Sequence, residues 1–331
     1  MNIRRKLIFL VFFITVILAY YETIRVDAPS YELKLLRHSE LISNNIEYPY
    51  KYRLLNPFTA NIWFIIFKLV LSEKTSFLLA YFVQNLLVYG FMTFCVTRFF
   101  SIWFDYSGTA IGILMFALLV PLSLTGYDSL GNMITAGLMA AAFYFIVKGR
   151  IGALFPIIFI GAFNELQVIL VIMFYFFSKK GNYLDKKVWI NSIALALTFT
   201  ASYFIIYLLR GSETTLTNRA TVNIMSVTSW DFIKWYFTKD AVFNINRMDW
   251  IILWAIMIIP LFPFVFRSFS TKPEFLRRST VIALPLFYFF AFFFIARMRE
   301  IEKALTIFII MIPLALFTII PNHLKDNEVE S

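Results

Sequence analysis

Asp27-Ala-Pro-Ser-Tyr31, then a charged run to Asn45, then Glu47-Tyr-Pro-Tyr-Lys-Tyr-Arg53-Leu-Leu-Asn-Pro57, forms one of two long polar intervals between apolar blocks. It sets Asp27, Glu32, Glu40 and Glu47 among Arg25, Lys34, Arg37, Lys51 and Arg53. The other interval covers 210–249. Several apolar runs approach or exceed the roughly 20 residues that cross a bilayer as helix. The whole chain is 60% hydrophobic and 15% charged, where a soluble domain is nearer half apolar and a quarter charged. The runs lack the apolar/polar alternation of membrane β-barrel strands. The expected fold is therefore all-α: a polytopic integral membrane protein, residues 1–331 forming a single transmembrane domain.

The formal charge of +10 lies between apolar runs, not in a tail or an aromatic-interleaved patch. Topology and lipid-phosphate contacts account for it, and nucleic acid is not expected as a partner. Cys95 is the only cysteine, so no intramolecular disulfide forms. His38 and His323 read as solvated surface residues, too far apart for a local metal motif. No Walker loop, dinucleotide fingerprint, HExxH or nucleophile elbow is present. The amino terminus, Met1-Asn-Ile-Arg-Arg-Lys6 before an apolar run, resembles a signal peptide, but Pro29 after Val26-Asp-Ala28 disfavours cleavage. An uncleaved first helix with a cytoplasmic basic end is expected.

The basic clusters Lys148-Gly-Arg150, Lys179-Lys180 with Lys186-Lys187, and Arg267 through Arg278 set the topology, since such clusters stay cytoplasmic. Helices over 7–22, 76–97, 108–125 and 132–147 satisfy the first of them. Adding 58–71 breaks the parity, so that segment is expected at the outer interface or as a re-entrant piece. Ser30 to Ile42 carries Tyr31, Leu33, Leu36 and Leu41 among charges and reads as an amphipathic surface helix. Gly108 and Gly112 form a small-xxx-small pair for helix packing. The block 152–177 has basic ends and Asn164-Glu165 at its middle. One helix of that length, about 39 Å, strands a carboxylate near mid-bilayer at about 2.5–3.5 kcal/mol. Two short helices turning at Asn164-Glu165 avoid this. With helices over 188–209, 249–266, 280–296 and 304–321, the count is about ten crossings, both termini cytoplasmic, with external loops 23–75 and 210–248. The second loop holds an interfacial candidate, Ser229-Trp-Asp-Phe-Ile-Lys-Trp235.

This topology sends Asp27, Arg53, Asp128, Glu165, Arg297, Arg299 and Glu300 to the outer face. A carboxylate there can act as a base or ligate a metal, and arginine can grip lipid phosphate bidentately. Each residue also has an ordinary role. Asp27 can cap the next helix, Arg53 can anchor at headgroups, and Asp128 can serve its Gly-flanked turn. Glu165 can pair with an arginine for assembly, and Arg297 and Arg299 can flank a span.

The early Asp27, the Tyr52-Arg53-Leu-Leu-Asn-Pro57 run, Phe163-Asn164-Glu165 between short helices, and Arg297-Met-Arg299-Glu300 before the last helix resemble the GT-C superfamily of membrane glycosyltransferases in short bacterial members. The resemblance implies a cell-membrane enzyme of envelope polysaccharide synthesis that takes sugar from a polyprenyl-phosphate carrier. It implies an essential acid early in the first external loop, where this chain has Asp27, with Glu165 as the second catalytic candidate. Arg53, Asp128, Arg297, Arg299 and Glu300 would bind substrate. The partners would be the lipid donor and membrane lipids; no cofactor is assigned, and a divalent cation is left open. Family members often carry a second acidic motif in the next external loop, where Asp128 stands alone here. A transporter or flippase, or a non-catalytic scaffold, are the alternatives.

Overall fold

The computed structural model describes residues 3–46, 53–124, 130–179, 185–211, 256, 258–285 and 305–324. Helices α1 (Ile3–Glu22), α2 (Tyr31–Ile42), α3 (Leu55–Lys68), α4 (Glu73–Phe100), α5 (Tyr106–Ser123) and α6 (Leu130–Val147) come first. They are followed by α7 (Leu154–Ala162), α8 (Val171–Phe177), α9 (Lys186–Arg210), α10 (Phe262–Phe266), α11 (Glu274–Arg278) and α12 (Leu305–Ile319). No strand occurs among the described residues; one isolated bridge joins Phe104 and Leu324. Among the described residues, five helices are long and apolar enough to cross a membrane: α1 with its extension to Asp27, α4, α5, α6 and α9.

Burial ranks these helices. Within α6, 78% of the apolar window is covered by protein, against 28% for α1 and for α9. The central helix is thus enclosed, while the outer helices show large apolar side chains such as Phe9, Phe12, Leu197 and Leu208 to their surroundings. An outward apolar face is the arrangement expected where lipid replaces water as solvent.

Contacts give the directions. Thr15 meets Thr93 at 3.1 Å, whereas Thr23 and Asp27 meet Asn85, so α1 and α4 are antiparallel. Gly112 of α5 faces Leu316 and Gly108 faces Ile320 and His323, so α5 opposes α12. The expected glycine pair therefore serves close packing. A Cβ at Gly112 would stand 2.7 Å from Phe100 and 3.0 Å from Leu316. Helix starts follow local chemistry. Asp105 accepts the Gly108 N–H at 2.8 Å to open α5, and Asp185 accepts the Lys187 N–H at 2.8 Å to open α9. Gly211, at φ +79, closes α9.

Three expectations about the first loop are refined. The first helix does not stop at residue 22; it continues through a wide turn, Thr23–Asp27, before reversing into α2. Helix α3 starts at Leu55 and runs for 14 residues, about 21 Å. It packs back along only the first part of α4, Asn56 and Thr59 opposite Gln84 and Phe64 opposite Phe77. The reversal of direction at 69–72 thus lies at one end of the bundle. Helix α2 has the expected span, and its buried face mixes polar and apolar residues. Lys34, His38 and Leu41 are buried, and Leu36 is exposed.

The 152–177 block breaks where expected. Helix α7 ends at Ala162, Glu165 is extended (φ −161, ψ 143), and the chain resumes through Leu166–Leu170 into α8. Phe163 packs by Tyr203 and Ile206 near the end of α9, while Tyr175 accepts a bond from Asn191 near its start. The chain therefore reverses at Phe163-Asn164-Glu165. That reversal joins the ends of α1 and α9 and the start of α6 at one end of the bundle. Arg98, Lys148, Arg150, Lys186, Lys187, Arg277 and Arg278 lie toward the other. There Lys272 donates to the carbonyls of Phe264 and Val265 at 2.6 and 2.7 Å.

Candidate functional site

Two sequence-marked motifs meet at the first of these ends. The backbone N–H groups of Leu54 and Leu55 both donate to the Phe163 carbonyl, at 2.7 and 3.0 Å. These donors open α3 and have no partner within it, so the break between α7 and α8 supplies the missing acceptor. The same junction carries Arg53 to Glu165, Nη2 donating to Oε1 at 2.9 Å across 112 residues. Thr135 of α6 donates to Glu165 Oε2 at 3.3 Å. The pairing with an arginine, one of the two readings of Glu165, is what the structure contains.

Asp27 is fully buried, and its surroundings set aside the helix-cap reading. Ser30, not Asp27, occupies the N-cap position of α2. One Asp27 oxygen takes the Lys34 ammonium and the other accepts from Asn85 Nδ2 at 2.8 Å. The Lys34 Nζ also lies 4.1 Å from the centre of the Tyr81 ring, a geometry in which cation and π-face attract. One turn before Asp27, Glu22 is fully buried and accepts from Tyr89. Polar groups on α1 (Glu22, Thr23, Asp27) thus face a polar stripe on α4 (Tyr81, Asn85, Tyr89).

Helix α2 is pinned at its other end by Arg210, which donates to the Leu41 carbonyl at 2.9 Å and to Asn44 Oδ1 at 3.1 Å. A cation at the last carbonyls of a helix is favoured by their partial negative charge. Between these anchors, His38 is buried rather than solvated as its sequence position suggested. Its Nδ1 lies 3.1 Å from the Tyr81 hydroxyl and its Nε2 3.1 Å from Asn61 Oδ1. Burial holds its pKa below the usual histidine range, the Asn61 bond opposing and nearby Lys34 assisting. A neutral ring satisfies both contacts, Nε2–H donating to Asn61 and Nδ1 accepting from Tyr81. His323, in contrast, is partly exposed at the opposite end, 3.0 Å from Asp105.

These elements surround a small open cavity with about 40 Å³ available to the centres of water-sized molecules. Lys34, Arg37 and His38 of α2, Arg53 and Asn56 at the start of α3, Tyr81 of α4, and Gly131 and Asn164 on the far side line it. Three cations and no carboxylate are in its described wall. Asp27 and Glu165 stand behind it, each holding a lining cation in place. Among the described residues no three His, Cys, Asp or Glu side chains gather to hold a metal.

Of the residues singled out in the sequence, Asp27, Arg53 and Glu165 are brought to this end of the bundle. Asp128, Arg297, Arg299 and Glu300, like the 229–235 segment, lie outside the described residues. Sequence reading missed Glu22, Lys34, His38 and Asn85. The available signal was the spacing of Tyr81, Asn85 and Tyr89, four residues apart on one helix face inside an apolar run. Comparison with family models, with curated proteins and with solved structures finds no match for the chain.

Proposed function

We propose that this chain is a ten-crossing membrane glycosyltransferase of the cell membrane. It would take sugar from a polyprenyl-phosphate carrier at the extracytoplasmic face, as its resemblance to the GT-C superfamily implies. The observation that carries the reading is the cation-walled cavity at the end of the bundle opposite the basic clusters. Those clusters belong in the cytoplasm by the positive-inside rule, which puts the cavity at the outer surface. Lys34, Arg37 and Arg53 suit the oxygens of a lipid phosphate, the arginines through their planar forks.

In the transfer itself, an acceptor hydroxyl oxygen bonds to the sugar's anomeric carbon as the carbon–oxygen bond to the carrier phosphate breaks. The acceptor's proton must leave, and the freed phosphate keeps the electron pair. Lys34 stands between Asp27 and the cavity. A phosphate that draws Lys34 outward would free Asp27 to take that proton. Glu165 would keep Arg53 on the leaving phosphate. Asp27→Asn leaves Lys34 without its carboxylate and should lower the amount of folded protein, so transfer of labelled sugar is measured per folded protein, where it should fall by about 10²–10⁴, the usual worth of a general base. Full activity of that variant ends the role of Asp27, and no transfer by the wild type across a donor panel ends the reading. For the orientation, a cysteine at Ser72 in a Cys95→Ser background should react with an impermeant reagent from outside.

A second reading has one observation of its own. A helix broken at a buried ionisable residue, as at Glu165, is how transporters build substrate sites. Reconstituted protein that moves a lipid-linked saccharide between leaflets without transferring its sugar would select it.

A further inference from the structure

Asn164 is 1% exposed, and its side-chain orientation is settled by its neighbours. Nδ2 donates to the Gly131 carbonyl at 2.7 Å and to Thr135 Oγ1 at 2.9 Å. A backbone carbonyl only accepts, so the nitrogen must face Gly131, and the amide cannot be flipped without setting two acceptors together. That leaves Oδ1 buried with no donor. A buried acceptor without a partner costs about 1–3 kcal/mol, which an assembly function alone does not call for. Beside this oxygen is Gly131, which also lines the cavity. A Cβ at Gly131 would stand 3.7 Å from Oδ1, so the glycine and the unpartnered oxygen are neighbours at the cavity wall.

The geometry points to Asn164 as the residue that reads the ligand. Its Oδ1 accepts a hydrogen bond from a hydroxyl next to the phosphate that Lys34 and Arg37 neutralise. The cavity therefore takes a hydroxylated phosphate ester in preference to bare phosphate. The inference rests on the reading of the cavity as an anion site, and it adds the feature that selects among anions. The ester can belong to a glycosyl phosphate or to a hydroxylated phospholipid headgroup, since both present a hydroxyl beside a phosphate.

Binding of hexose 1-phosphate and of inorganic phosphate to the purified full chain in detergent tests this. The wild type should prefer the hexose ester by about 2- to 10-fold, the net worth of one hydrogen bond. Asn164→Ala removes the acceptor and should bring the two ligands to parity. Gly131→Ala gives an independent route. Its Cβ makes only an ordinary contact, so the fold tolerates it, yet it adds a methyl group beside Oδ1 at the cavity wall and should also give parity. Nanodiscs of phosphatidylglycerol and of phosphatidic acid separate the sources, because only the first carries headgroup hydroxyls. Preference for either hydroxylated ester, lost in the variants, supports the assignment. Equal binding of the hexose ester and phosphate by the wild type, joined by no preference between the two lipids, overturns it. So does preference that persists in a folded variant of either kind. A wild type that shows the preference yet transfers no sugar ends the transferase reading and leaves this one standing.

Discussion

Two buried carboxylates stand behind the same cavity, and the two are held differently. Asp27 sits at the end of α1 with its side chain fully covered, and its cation, Lys34, is 4% exposed. Glu165 sits at the break between α7 and α8 with its side chain 4% exposed, but its cation, Arg53, is 17% exposed. The first pair is sealed by Asn85 and by the Tyr81 ring. In the second, Arg53 lines the cavity and is partly exposed, so water can replace a lost contact. The lesson is that equal formal charge pairs differ in how much each depends on its partner. Breaking a pair costs most where nothing else can solvate the abandoned charge.

The largest effect should therefore come from Lys34→Met, which leaves Asp27 charged and enclosed. A loss of about 3–5 kcal/mol is expected for removing one partner of such a pair. It should appear as a lower midpoint of thermal unfolding in detergent. Adding Asp27→Asn to the same chain should recover part of it, and no recovery would show that packing and not charge was lost. Arg53→Met should cost less, about 1.5–3 kcal/mol, as for a hydrogen bond to a charged group. If it matches or exceeds Lys34→Met, the two pairs are not distinguished by solvent access.

A third variant tests the turn that presents Glu165. A Cβ on Gly161 would lie 2.5 and 2.8 Å from the two methyl groups of Val168 across the turn. Gly161→Ala should destabilise by about 1–3 kcal/mol through overpacking. Gly161→Ala with Val168→Ala should regain much of that, since the alanine opens the space. The smallest effect concerns His38. Its folded pKa lies below the unfolded value of about 6.5, so the unfolded chain binds more protons between the two values. Stability from His38 is thus fully present above about pH 6.5 and is lost as pH falls from there toward the folded pKa. An unfolding midpoint that declines on acidification through that window in the wild type, and less in His38→Asn, is the expected result. An unchanged pH slope in the variant would remove His38 from the account.

Much of this architecture was legible along the chain because its signals are local. Apolar run length marked the helices that can cross a membrane. A polar pair, Asn164-Glu165, in an apolar block marked the break, since a continuous helix would bury a carboxylate without a partner in reach. The parity of the basic clusters set 58–71 apart from the expected crossings, and α3 packs along only part of α4.

What local pattern could not decide was partner and face. Charges among Tyr31, Leu33, Leu36 and Leu41 marked α2 as amphipathic, but not which polar residues it buries. The fold buries Lys34 and His38 along with Leu41, against Asp27, Tyr81 and Asn61, and leaves Leu36 exposed. The sequence by itself determined that the chain is a bundle of apolar helices with a polar first loop and an interrupted 152–177 block. Only the tertiary structure decided that Lys34 belongs to Asp27 and Arg53 to Glu165. The reason is physical: any of several nearby cations satisfies a carboxylate equally in one dimension. The choice is made where the α1 turn, the start of α3 and the break after α7 come together in space.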